Sequence, residues 1–232
     1  RADARKVRLC RLATKGILST QPFERTPQVI GGFVMRHGPQ PMRTKWADEF
    51  GTIPPLGYRL RLSYPDRWIR IYSLPEGKRY AETDEEREIL LERQNAVASF
   101  VLGGGAACLV FSCEYDRPVD ASVSPEIANT SSLEFAELWK VRELVDPSDP
   151  TDVSETEISV FGVEAAWSAE AFRRPLLAVA EDEVNLLALS RKTLNVFAPY
   201  DGGADAILTS SREVDEFRRR FADLLSPLES GL

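Results

Sequence analysis

Two different hydrophobic periods interleave along the chain. Apolar residues recur at every second position, or form a short continuous run, in six segments that are typical of β-strands. The predicted strands cover Trp68–Tyr72 and residues 106–113, 158–163, 184–189, 194–198 and 206–208. The fourth and fifth are close enough to pair as a hairpin, and the run at 106–113 is apolar enough for an inner strand of a sheet.

Helical periodicity is clearest after Thr83. Thr83 and Glu86 have the spacing of a capping box, in which two side chains bind free amides at a helix start. Three glycines at residues 103–105 end the periodic segment. Because they follow a helix and precede a strand, whereas a phosphate-binding loop needs the opposite order, we interpret them as a helix stop. Ser210 and Glu213 predict the start of a C-terminal helix in the same way.

The remaining segments are less regular. A short helix is predicted at residues 42–50, where two aromatic residues share a face. Residues 56–64 fit a helix and a strand, and we favour the helix. Residues 135–144 fit either structure. A helix is expected within residues 169–181, beginning near Phe172 or at the proline three residues later.

The interleaving of strands and helices predicts the fold class. The chain has 232 residues, of which 43% are hydrophobic, and it can therefore bury a large core. We predict an α/β (α+β) protein in which a mixed or antiparallel sheet is flanked by helices. Residues 35–232 are expected to form this single domain, and residues 1–34 a basic N-terminal arm.

Charge is unevenly distributed. Residues 1–45 carry ten Lys or Arg and two acidic residues, a net charge of +8, whereas the rest of the chain carries 19 basic and 34 acidic residues, a net charge of −15. An acidic body repels nucleic acid and attracts proteins with a basic surface. The acidic stretches at residues 83–88 and 181–183 are interpreted as solvated helix ends. The basic arm fits a disordered extension, an organellar targeting segment or an upstream extension of the reading frame.

Cysteine usage and hydropathy bear on location. The chain has an odd number of cysteines, namely Cys10, Cys108 and Cys113. We interpret the last two as buried apolar residues on opposite sides of one strand. Such usage is typical of a reducing compartment. The sequence has no run of about 20 apolar residues that would cross a bilayer, and its first 15 residues lack the apolar core of a secretory signal. We therefore expect a cytoplasmic protein without membrane insertion.

Few residues carry the chemistry of a catalytic or metal site. His37 is the single histidine, and it does not combine with the three cysteines into a set of zinc ligands at a usable spacing. Asp201 and Asp205 lie in a glycine-rich turn and could bind a hard cation, but a turn that needs positive φ explains the glycines. We predict no cofactor, metal site or catalytic residue. An enzymatic role stays open, and we favour a protein without one.

The segment after the first predicted strand gathers polar groups in one loop. Ser73, Lys78, Arg79 and Tyr80 provide a hydroxyl, two cations and a phenol. Such a group could bind an anionic ligand or the carboxylates of a partner. A strand-to-helix connection, whose cations balance the acidic turn behind it, explains the same residues.

Two blocks of sequence resemble a family of uncharacterised bacterial proteins. They are RWIRIYSLPEGKRY at residues 67–80, with the acidic helix start behind it, and VFAPYDGGADAIL at residues 196–208. The similarity runs from near Met42 to the C-terminus. Family members commonly have His-Ser-Leu-Pro in the first block, and Tyr72 stands in place of that histidine here. The resemblance implies a bacterial α/β protein, similar to the small acidic immunity partners of secreted toxins.

These blocks supply the candidate binding residues. They are Ser73, Lys78, Arg79 and Tyr80 in the first block, and Tyr200, Asp201 and Asp205 in the second. We hypothesise a non-enzymatic protein-binding module, an immunity-type inhibitor that covers the basic surface of a bacterial toxin. The alternative is an enzyme or ligand-binding protein that acts on a small anionic molecule, which requires the two blocks to meet in space. A third hypothesis is a structural subunit of a larger assembly.

Overall fold

The computed structural model describes residues 40–116, 125–144 and 155–226. The predicted arm at residues 1–34, Cys10 and His37 lie outside these ranges. The strands of the described ranges are β1 (Trp68–Tyr72), β2 (Ala107–Tyr115), β3 (Ala136–Leu144), β4 (Glu155–Ala166), β5 (Leu187–Ser190), β6 (Val196–Tyr200) and β7 (Gly203–Ile207). They form one seven-stranded sheet.

Neighbouring strands of this sheet are antiparallel. Their order is β1-β7-β6-β5-β2-β4-β3. β5, β6 and β7 follow one another as a meander of hairpins, whereas β1 lies at the edge beside β7. β2 pairs on both sides and is therefore an inner strand, as its apolar sequence predicts.

Helices cover both faces of the sheet. The α-helices of the described ranges are α1 (Gln40–Phe50), α2 (Gly57–Ser63), α3 (Asp84–Leu102), α4 (Ala169–Ala180) and α5 (Ser211–Arg220). Trp46 of α1 and Leu60 of α2 pack on one face, which we call the α1 face. Val97, Leu176 and Phe217 of the other three helices pack on the opposite, α3 face. This is the predicted fold class, a single α+β domain with an antiparallel sheet flanked by helices.

Strand β2 shows how one segment supplies both cores. Cys108 and Val110 join the core of the α3 face, while Leu109, Phe111 and Cys113 join that of the α1 face. The predicted burial of these two cysteines on opposite sides is confirmed. Burial raises the pKa of the Cys108 thiol to about 12, so this thiol is protonated at neutral pH and poorly nucleophilic.

The predicted start and stop of α3 are confirmed. Thr83 Oγ1 accepts a hydrogen bond from the amide of Glu86 at 3.2 Å, and the Glu86 carboxylate accepts one from the amide of Thr83 at 3.3 Å. The helix ends at Gly103, whose φ of 80° favours glycine.

Helix α4 begins earlier than its pattern predicts. It starts at Ala169 instead of near Phe172, because the Ser168 side chain caps it by accepting from the amide of Ala171 at 3.2 Å. Pro175 lies inside the helix and not at its start. The ambiguous segment at residues 135–144 is strand β3, and residues 56–64 contain helix α2, as favoured.

Candidate functional site

The two sequence blocks that carry the candidate residues meet at one end of the sheet. β1 pairs with β7 in a register that places Tyr72 opposite Gly203. The loop after β1 therefore begins beside the turn that joins β6 to β7. Across this junction the amide of Ser73 donates to the carbonyl oxygen of Gly202 at 3.2 Å. The two sequence blocks are thus in direct contact, as a binding site formed by both of them requires.

Asp201 ties the loop to the turn. Its Oδ2 accepts hydrogen bonds from Arg79 Nε at 2.5 Å and from the Tyr80 hydroxyl at 3.0 Å, and it also pairs with Arg79 Nη2. Asp201 is buried, whereas Tyr80 is 43% exposed. Burial and the hydrogen bond to Asp201 raise the pKa of Tyr80, so its phenol is protonated at neutral pH.

The turn approaches β1 too closely for a side chain at Gly203. A Cβ at this position would lie 2.0 Å from the carbonyl oxygen of Ile71. Neither Gly202 nor Gly203 has positive φ, so the prediction that this turn needs glycines for a positive φ is wrong. The glycine at position 203 is instead explained by the lack of space for a side chain. Gln94 of α3 donates its Nε2 to Ser73 Oγ at 2.8 Å and to the Gly203 carbonyl at 3.3 Å. A helix, a strand end and a turn are thereby joined.

Lys78 binds the start of α3 instead of the turn. Its Nζ lies 2.7 and 2.9 Å from the two carboxylate oxygens of Glu86, and 3.2 Å from Glu82. The hydrogen bond between them raises the pKa of Lys78 and lowers that of Glu86. An open depression of about 500 Å³ lies beside Lys78 and is also lined by Pro75, Glu76, Gly77, Glu86 and Ile89.

Tyr200 and Asp205 lie with Arg70 on the α1 face. Arg70 donates from Nε to Asp205 Oδ1 at 2.7 Å and from Nη2 to Oδ2 at 2.9 Å. Its guanidinium lies 4.4 Å from the centre of the Tyr200 ring. Burial raises the pKa of the Tyr200 phenol. Sequence patterns miss the role of Arg70, although its position between two apolar residues of a half-buried strand marks the face that it occupies.

The candidate residues thus divide into separate groups. The groups are Ser73 with Gln94, Arg79 and Tyr80 with Asp201, Lys78 with Glu86, and Tyr200 and Asp205 with Arg70. Every one of these carboxylates accepts a hydrogen bond from a cation of the same chain. The groups hold this end of the fold together, and their role in binding stays a prediction.

A surface that sequence patterns do not predict as a unit lies beside Tyr80. Arg87 of α3 and Leu177 of α4 line one cleft, so the start of α3 and the last turns of α4 are neighbours. This cleft has a volume of about 310 Å³, and its charged lining residues are Arg87, Arg174, Glu181 and Glu183. The exposed residues of this region, which we call the acidic surface, are Tyr80, Asp84, Glu85, Glu181, Asp182 and Glu183.

The blocks that form this site lie within one family match. The family model described as Domain of unknown function (DUF3885) matches residues 56–229. The chain belongs to this family. The DUF3885 match begins beside α2 and includes every strand of the sheet, whereas α1 precedes it, although Trp46 and Phe50 of α1 are buried. The resemblance to an uncharacterised family is therefore confirmed, and the link to toxin immunity stays a prediction. No curated protein and no solved structure matches the chain.

The described part of this DUF3885 protein has neither a cluster of metal ligands nor a membrane-spanning helix. Those residues include no group of three His, Cys, Asp or Glu side chains that could hold a metal ion. They also form no helix that is both long and apolar enough to cross a membrane.

Proposed function

We propose that the protein is a non-enzymatic protein-binding module that docks the basic surface of a partner protein through its acidic surface. The form that we favour is an immunity-type inhibitor that covers a basic region of a bacterial toxin. The observation that carries the proposal is that two acidic helix ends, Asp84–Glu85 and Glu181–Glu183, meet at one cleft near Tyr80. Arg87, which binds Asp84, lines this cleft together with Glu181 and Glu183, and the charge of Asp182 contributes to the raised pKa of Tyr80.

Three of the carboxylates on this surface are available to a partner. In the described part of the chain, Glu85, Glu181 and Glu183 are exposed and make no ion pair or side-chain hydrogen bond. Carboxylates that share one surface with cationic partners raise association rates and select for charge complementarity. The net charge of −15 outside residues 1–45 acts in the same direction.

Tyr80 adds the apolar contact that charge alone does not provide. It is one of two large hydrophobic side chains of the described residues that are strongly exposed, the other being Leu62. Its hydroxyl is anchored on Asp201, which holds the ring in place before a partner arrives. Tyrosine is enriched among the residues that dominate interface energy, and a rigid one loses little entropy on binding.

Capture and protection together test this function. The tagged chain is used to recover partners from the organism that encodes it, and it is co-expressed with the product of each neighbouring gene that stops growth. We expect a basic protein to be captured at low salt and released at high salt, and growth to be restored. Failure to capture any protein, together with failure to protect against every neighbouring toxic product, would refute the proposal.

A matched pair of variants ties both readouts to the acidic surface. Glu85→Gln, Glu181→Gln and Glu183→Gln together remove three charges from it. Asp215→Asn, Glu216→Gln and Asp223→Asn remove three exposed charges from α5 and the turn after it. Phe100, near the far end of α3, contacts α5, so the control positions lie away from the acidic surface. Only the first variant should lose capture and protection.

Binding of a small anionic molecule by Lys78, Arg79 and Tyr80 with Asp201 or Asp205 is the second candidate. The meeting of the two sequence blocks and the depression beside Lys78 favour it. The existing pairs of Lys78 with Glu86 and of Arg79 with Asp201 oppose it, because an incoming anion would have to displace a carboxylate. Lys78→Ala should abolish binding of such a ligand and leave partner capture unchanged.

A further inference from the structure

A group of hydrogen-bond donors on the α1 face lacks a matching set of acceptors. Trp68 stands at the start of β1, and two guanidiniums lie near its indole ring: Arg61 at 5.6 Å and Arg70 at 5.4 Å from the ring centre. The group lies close to the sheet, since Gly57, one turn before Arg61 on α2, lies against Ala198.

Asp205 is the carboxylate at this place, and Arg70 already occupies it. Arg70 binds both carboxylate oxygens, at 2.7 and 2.9 Å. The Arg61 guanidinium makes no ion pair and no hydrogen bond to any of the described residues. Burial and the nearby charge of Arg70 lower the pKa of Arg61, although a guanidinium stays charged at any physiological pH.

The indole N–H of Trp68 also lacks a hydrogen-bond acceptor among the described residues. Its nitrogen, Nε1, is inaccessible to solvent. An unsatisfied buried donor costs about 1–3 kcal/mol, so such groups point to a missing partner. Trp46 provides a contrast on the same face, because its Nε1 donates to the carbonyl of Ile53 at 2.7 Å.

Three exposed arginines elsewhere in the described residues do have carboxylate partners. Arg79, Arg173 and Arg191 each pair with a carboxylate of Asp201, Glu88 or Glu164. Arg61 is less exposed than these three and would gain more from an anion, since ion pairs strengthen as the surroundings become less polar.

We propose that Arg61 and Trp68 form a binding site for a small oxyanion, a carboxylate or a phosphate. The planar guanidinium of Arg61 donates two parallel hydrogen bonds to such a group, and the indole N–H supplies a third once the long Arg61 side chain moves off the ring. Arg70 adds positive charge while staying bound to Asp205. This site lies on the α1 face and is separate from the acidic surface.

The signal of the Trp68 indole N–H in a nitrogen–proton correlation spectrum of the full chain tests the proposal. The four tryptophans give four indole signals, and Trp68→Phe assigns the one required. Sodium phosphate and sodium acetate are titrated separately, with chloride added to keep the ionic strength constant. We expect a saturable shift of the Trp68 signal with phosphate, acetate or both, and the anion that saturates it identifies the ligand class.

Arg61→Gln separates specific binding from salt effects. It should weaken binding at least about tenfold, the effect of losing a hydrogen bond to a charged group, while the backbone spectrum stays that of the folded protein. Arg93→Gln, on the opposite helix layer, should leave the affinity unchanged. If Arg61→Gln disturbs the fold, Arg61→Lys serves instead, because it keeps the charge and removes the planar fork. No shift, a shift without saturation, or an equal shift in the Arg61 variant would overturn the proposal.

Discussion

Arg70 and Asp205 face each other as a register pair across the β1–β7 ladder and form a bidentate ion pair. Their side chains are 16% and 4% exposed. Removing one partner of a buried pair leaves an uncompensated charge in a poorly solvated place. This pair therefore joins the edge strand β1 to the rest of the sheet at the junction where the two sequence blocks meet.

Asp205→Asn should lower the free energy of unfolding by about 3 kcal/mol, because the Arg70 guanidinium loses its carboxylate. Urea denaturation followed by circular dichroism measures the change. Glu88→Gln is the control, since its pair with Arg173 is exposed and worth far less. A loss no greater than that of the control would contradict a structural role for the buried pair.

Gly203→Ala should prevent correct folding or cost several kcal/mol of stability. Its Cβ would lie 2.0 Å from the Ile71 carbonyl oxygen, and the backbone there cannot yield without breaking the β1–β7 ladder. Gly104→Ala is the matched control, because a Cβ at that position meets nothing within 4 Å and the residue lacks positive φ. Expression in soluble form and the thermal midpoint Tm are measured for both. Equal Tm values for the two variants would show that the turn does not lie against β1.

Acid should destabilise the protein through Glu213. Burial raises the pKa of this carboxyl, but hydrogen bonds from Thr209, Asn195 and Ser210 outweigh it and the net pKa is lowered. Because the pKa of Glu213 is lower in the folded protein than its unfolded value of about 4.3, the ionised carboxylate stabilises the fold at pH values above about 4.3. This stabilisation is lost as the pH falls through the pKa of the folded state. Glu213→Gln should therefore flatten the dependence of unfolding free energy on pH below about 4.3. Asp215→Asn, on the exposed side of the same helix, is the control, and an unchanged slope in Glu213→Gln would contradict the assignment.

The two parts of the Tyr80 side chain should contribute differently to partner binding. Tyr80→Ala removes the exposed ring and should weaken the affinity at least about tenfold, as for a residue that dominates an interface. Tyr80→Phe keeps the ring and loses the hydrogen bond to Asp201, so its effect should be much smaller. Calorimetric titration with the captured partner gives both Kd values. Equal affinities for wild type and Tyr80→Ala would place the interface elsewhere.

Local sequence patterns predict most of the helices and strands, because each of these elements is determined mainly by residues that are close together in the sequence. The capping box of Thr83 and Glu86 and the alternation of Trp68–Tyr72 each depend on a few adjacent residues. The start of α4 is an exception, because a proline is a strong local signal for a helix start, whereas the residue that caps this helix is the less conspicuous Ser168.

The candidate site is less predictable, since its contacts join residues far apart in sequence. The pairing of Arg79 with Asp201 and the approach of Gly203 to Ile71 follow from the position of β1 beside β7, which no local pattern encodes. The acidic surface has the same origin. Residues 83–88 and 181–183 are each ordinary helix ends, and only the packing of α3 on α4 brings them together.

The affinity of the captured partner for the two charge-neutralised triple variants tests the central claim most directly. Calorimetric titration at one low salt concentration should give a Kd at least about tenfold weaker for the variant at Glu85, Glu181 and Glu183 than for wild type, because complementary charge at the contact is lost. The variant at Asp215, Glu216 and Asp223 has the same net charge and should bind as wild type does. Equal Kd values for the two variants would contradict docking through the acidic surface.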